Sequence, residues 1–88
     1  MKSLAEALVE TTAFLELSSD QVIDPDSAVQ ALESISHALQ NASDEEKQAV
    51  LKYTQEQAAK LNGARSPEEQ KRRDFYSEFG EAMGLTEE

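Results

Sequence analysis

The sequence predicts an all-α protein, a compact bundle of four helices near 4–17, 25–40, 44–62 and 67–83, with antiparallel neighbours. Three observations lead there. Glycine and proline are sparse, at three and two of 88 residues, and no stretch alternates apolar and polar residues as a half-buried strand would. Ser3, Asp24, Ser43 and Ser66 each stand just ahead of a helical pattern; a side-chain oxygen there satisfies the free N–H groups of a first helical turn. The connections are about four to seven residues long, which favours helices that turn back on their neighbours.

Helix one is expected to open on Ser3, with Glu6 reaching back to complete a capping box. Leu4, Leu8, Thr11 and Leu15 recur at helical spacing and are expected to face the core. The pattern fades near Leu17, where Ser18 and Ser19 begin a loop.

Residues 20–29, DQVIDPDSAV, gather three aspartates around a proline. With Asp24 as cap, Pro25 takes the first helical position, where its missing N–H costs nothing. Asp26 then lies in the first turn, favoured by the helix dipole, and Ile23 can pack on Ala28 as a hydrophobic staple. The stripe that follows is Ala28, Val29, Leu32, Ile35, Ser36 and Leu39. A calcium loop fails on spacing. Counted from Asp24, the glycine and the glutamate that an EF-hand requires are Val29 and Ile35; counted from Asp20, the third ligand position is Val22.

Helix three repeats the pattern with Ser43 and Glu46 as a second box and Val50, Tyr53, Thr54 and Leu61 on one face. Gly63 after Asn62 is a left-handed terminator. Helix four has Ser66 as cap, Pro67 at its first position, Glu69 closing a third box, and a stripe of Phe75, Tyr76, Phe79 and Met83. Gly80 weakens its second half by about 1 kcal/mol relative to alanine. Gly84 and Leu85 are expected to form a terminating turn, with Leu85 folded back on the last helical turn.

The 88 residues form a single domain, 1–88. The absence of cysteine excludes a disulfide framework and a thiolate zinc site. No stretch approaches the ~20 apolar residues of a spanning helix, and MKSLAEALVE carries no leader pattern, so a cytoplasmic protein is expected. Acids outnumber bases 18 to 8. Residues 1–46 hold ten acids against Lys2 alone, and the remainder eight acids and seven bases. This excess opposes binding to nucleic acid or an anionic membrane. Eight of the acids (Glu6, Asp24, Asp26, Asp44, Glu45, Glu46, Glu68 and Glu69) fall at expected helix starts, so much of the acidity is helix punctuation.

No catalytic constellation emerges. His37 is the single histidine, set away from helix two's apolar stripe, with Glu33 one turn earlier and no further ligand in the pattern. Ser34 and Ser36 lie close in sequence but point elsewhere, and no glycine-rich phosphate loop exists. No metal, cofactor or small-molecule substrate is expected. In QKRRDFYSEFG, residues 70–80, basic and aromatic residues mix; the aromatics are expected to face the core while the bases neutralise acidic helices beside them. A helix-turn-helix of helices two and three is disfavoured because helix three begins with SDEE, which would meet phosphate with like charge.

Phe14 and Leu17 remain unexplained, nearly opposite the expected core face of helix one; Gln57 is the mirror case, polar within helix three's apolar face. Either helix one ends early and the Phe14 and Leu17 side chains pack under the 18–23 loop, or they form an exposed patch for a partner. On the second reading Phe14 and Leu17 are the candidate partner-binding anchors, with Glu10, Glu16 and Asp20 as their rim. The expected function is a non-enzymatic protein-interaction module that binds another protein or a second copy of itself. The alternative is an inhibitor of immunity or antitoxin type, covering a basic, nucleic-acid-acting enzyme. The spread of the acids over four helix starts argues against a dedicated nucleic-acid mimic.

Overall fold

Each helix begins where local chemistry can satisfy its first turn. The computed structural model describes residues 2–85 and contains α1 (Lys2–Leu17), α2 (Pro25–Gln40), α3 (Asp44–Lys60) and α4 (Pro67–Ala82). Among the described residues there is no strand. Asp24 caps α2, its Oδ2 accepting from both the backbone N–H and the hydroxyl of Ser27 at 3.0 Å. Ser43 and Glu46 form the full reciprocal box on α3, with bonds of 2.8 and 3.1 Å. On α4 the Ser66 hydroxyl accepts from the Glu69 N–H at 3.1 Å, but the Glu69 carboxylate turns to that same hydroxyl instead of the cap's backbone. The third box is thus half-formed. Ser3 departs further from expectation. It lies inside α1, which already begins at Lys2, so it is not the cap.

The end of α4 follows the expected pattern in detail. Gly84 adopts φ +72°, the Leu85 N–H reaches the Gly80 carbonyl at 2.7 Å, and the Gly84 N–H reaches the Glu81 carbonyl at 3.1 Å. These are the two bonds of a Schellman turn, and Leu85 packs back against the core. α3 ends two residues earlier than its pattern suggested, at Lys60, and Gly63 at φ +87° closes the turn that follows.

The core is built from Ala5 and Val9 of α1, Leu39 of α2, Val50 and Tyr53 of α3, and Tyr76, Phe79 and Met83 at the α4 end. α3 packs most extensively on α4, and α1 packs against all three other helices. Leu4, Ala5 and Leu8 at the start of α1 face Leu39 and Ala42 at the end of α2, so these two helices run antiparallel. The Gln40 side chain donates to the Met83 carbonyl, placing the end of α2 against the end of α4. α3 starts just after that point and leads through a short loop into α4, so α3 and α4 are antiparallel as well.

The buried face of α1 differs from the expected one. Ala5, Val9, Thr12 and Ala13 are buried, whereas Leu8 and Leu15 are half-buried, Thr11 is exposed and Leu4 is 73% exposed. The leucine stripe is rotated by about 120° from the true interior at 100° per residue. Small residues occupy the interior because α1 is covered on several sides, and only small side chains fit where backbones approach closely. On α2, Ala28 and Leu39 are buried, but Val29 is 54% exposed because α2 packs mainly on α1. On α3 and α4 the expected Val50, Tyr53, Thr54, Tyr76, Phe79 and Met83 are buried. Phe75 and Leu61, the latter beyond the end of α3, are instead half-buried, and Leu51 joins the buried face unexpectedly.

Gly84 and Gly63 provide a matched test. A Cβ on Gly84 would sit 2.6 Å from Gln40 Nε2, while one on Gly63 meets nothing within 4 Å. Gly63→Ala is expected to cost about 1–2 kcal/mol for its left-handed backbone. Gly84→Ala should cost about 1 kcal/mol more through loss of the Gln40 bond. Urea unfolding of both variants measures the difference; equal losses would remove the Gln40 contact from the account.

Candidate interaction site

α1 meets α4 along a line that is polar in its middle and apolar at its end. In the middle, Glu10 of α1 is drawn inward. Its Oε2 accepts from the hydroxyls of Tyr53 at 2.8 Å and Tyr76 at 2.6 Å, and its Oε1 accepts from Arg72 Nη2 at 2.6 Å. Arg72 Nη2 also donates to the Tyr76 oxygen at 2.9 Å, and the guanidinium lies 5.6 Å from the centre of the Tyr76 ring. Tyr53 and Tyr76 meet edge to face at 6.5 Å. One carboxylate thereby joins α1, α3 and α4. The ion pair itself is worth little, because the Arg72 and Glu10 side chains are 41% and 36% exposed; the tyrosine hydroxyls, on buried residues, depend on it more.

Both tyrosines hold their protons above the ordinary range. For Tyr53 the first cause is burial, followed by its hydrogen bond to Glu10 and that group's negative charge. For Tyr76 burial again leads, Glu10 adds to it, and Arg72 opposes it. At the exposed start of α3, bonds from Ser43 hold the Glu46 carboxyl below the usual range.

Two turns further along α1 the contact becomes apolar. Leu17 lines a groove of about 290 Å³ with Phe75, Phe79, Ala82 and Met83 from α4 and its cap. Phe79 and Met83 belong to the core, and Phe75 meets Phe79 edge to face at 5.6 Å, so the floor of the groove is fixed by the interior. Glu16, Lys71, Asp74 and Glu78 supply its charged lining.

Of the five residues expected at a binding surface, Leu17 and Glu16 come together in this groove. Phe14 lies one turn before Leu17, 55% exposed to water. Glu10 is committed to the polar cluster, so its carboxylate is not part of an open rim. Asp20 is exposed in the turn after α1, where the backbone folds through bonds from Val22 and Ile23 to the Ser19 carbonyl. The α4 half of the groove had no place in the expected site. Its signal was nonetheless present, since residues 71, 74, 75, 78, 79, 82 and 83 share one face at helical spacing.

His37 and Glu33 are exposed on α2. Among the described residues no group of three or more His, Asp or Glu side chains is placed to hold a metal ion, and no helix is long and apolar enough to cross a membrane. The chain matches no protein-family model, no curated protein and no solved structure.

Two outcomes are expected from the polar cluster. Because both tyrosines have raised pKa values when folded, their contribution to stability is complete below the ordinary tyrosine value of 10.0 and is lost as pH rises above it. Tyrosinate absorbance, followed with unfolding, should show ionisation accompanying alkaline unfolding rather than half-completion near pH 10.0 in the folded chain. Glu10→Gln is expected to cost about 1–2 kcal/mol in urea unfolding and to bring tyrosine ionisation to lower pH. An unchanged ionisation curve would count against Glu10 as a cause of the shift.

Proposed function

We propose that this chain is a non-enzymatic protein-interaction module that binds through the C-terminal half of α1 and the adjoining face of α4. The observation that carries this reading is Phe14, 55% exposed one turn from Leu17, which lines an apolar groove. A large aromatic left in water beside such a groove has the form of an interface anchor, and flanking carboxylates at Glu16 and Asp20 supply a polar rim. Apolar burial would provide affinity and charge would speed encounter. A cytoplasmic setting fits a chain with no cysteine to oxidise.

The acidity supports a narrower second reading, an inhibitor of immunity or antitoxin type that covers the basic cleft of a nucleic-acid-acting enzyme. Three of the four charged residues lining the groove are acids, which favours it. The Asp24, Glu46 and Glu69 carboxylates act locally at helix starts, and this weighs against it.

The test places a photo-crosslinking amino acid at position 14 and, as control, at exposed Gln48 on α3. A discrete adduct is expected from position 14 only, of twice the chain's mass for self-association or containing an identifiable second protein. Binding rebuilt from purified components should weaken about tenfold or more in Phe14→Asp, while that exposed substitution changes folding stability by about 0.5 kcal/mol or less. Equal labelling from both positions, or undiminished binding by Phe14→Asp, would overturn the reading. Unfolding of Phe14→Asp would return Phe14 to the core and do the same.

A further inference from the structure

We propose that the groove between the end of α1 and α4 receives a bulky apolar side chain carried on a basic, amphipathic helix of a partner protein. The inference rests on the interaction-module reading and assigns the chemistry of the partner. Three features of the groove carry it. Its floor is apolar and rigid, because Phe79 is 1% exposed, Met83 is part of the core, and Phe75 is held edge to face by Phe79. Its volume of about 290 Å³ suits one or two inserted side chains and not a whole helix, so a partner helix would lie across the mouth and lower its apolar face inward.

Its charged lining selects the sign of the partner. Glu16 stands on α1 and Glu78 on α4, one acid from each wall. Neither makes an ion pair among the described residues, whereas Asp74 is engaged by Arg73 at 3.3 Å. Lys71 is the single base in the lining. A helix with an apolar residue over the groove and lysines or arginines on both flanks would meet a carboxylate on each side. A second copy of this chain is the poorer occupant, because it brings the same net charge of −10 to the contact.

The experiment uses the full chain and a fluorescent amphipathic helical peptide of leucine, alanine and lysine, with a counterpart in which glutamate replaces lysine. Fluorescence anisotropy gives the affinities. Native protein is expected to bind the lysine peptide at least about tenfold more tightly than the glutamate peptide. Ala82→Phe fills the groove without altering charge and should weaken binding about tenfold. Glu78→Lys should weaken it several-fold and flatten its salt dependence. Gln48→Phe, on the exposed side of α3, should leave affinity unchanged. Ala82 and Glu78 are exposed, so both variants should retain the native circular dichroism and urea midpoint.

Equal affinity of Ala82→Phe and Gln48→Phe would mean that diffuse charge holds the peptide, and the groove assignment would fall. Equal affinity for the two peptides would remove the basic partner. A native dimer in light scattering that Ala82→Phe converts to monomer would replace the foreign helix with a second copy. Crosslinking from position 14 that persists in Ala82→Phe would sink the groove assignment and spare the interaction-module reading; failure of crosslinking in the native chain sinks both.

Discussion

α1 packs against α2, α3 and α4, and a helix covered on that many sides has room only for small side chains where backbones come closest. Ala5, Val9, Thr12 and Ala13 occupy those positions. Their burial fixes the rotation of α1, and that rotation settles the fate of every other residue on the helix. Leu8 and Leu15 fall to one flank and become half-buried, Glu10 swings toward α3 and α4, Leu17 reaches the α4 groove, and Phe14 is turned to solvent. The helix that organises the interior is therefore also the one that carries the exposed aromatic.

Polar groups within this interior are satisfied locally or in one shared cluster. Thr12 donates to the Leu8 carbonyl and Thr54 to the Leu51 carbonyl, so two almost fully buried hydroxyls cost little. Among the described residues, no buried side-chain nitrogen or oxygen lacks a partner. The Glu10 carboxylate takes three donors from two other helices, tying α1 to α3 and α4 at a point where an apolar contact would specify orientation less sharply. The cluster ties α1 to α4, the two helices that also form the walls of the groove.

The acidity has two physical uses that the overall charge conceals. At the starts of α2, α3 and α4, carboxylates and hydroxyls satisfy free N–H groups, and their charge is complemented by the helix dipole. Around the groove, Glu16 and Glu78 make no ion pair among the described residues, and their charge faces whatever approaches.

The four helices, their order and most of their ends were legible in the sequence, and so was most of the core face of α3 and of α4. Caps and terminators act over three to five residues of the same chain: Asp24 on Ser27, Ser43 on Glu46, Leu85 on Gly80. Such contacts are written into neighbouring letters, as the left-handed Gly84 is. Only the tertiary structure decided which face of α1 turns inward, because amphipathic spacing favours large apolar residues while close packing on three helices favours small ones. It alone brought Glu10 to Arg72 across 62 positions of sequence, and Leu17 to Phe75, Phe79 and Met83. Those contacts depend on the distance and rotation between helices, which no single helix encodes.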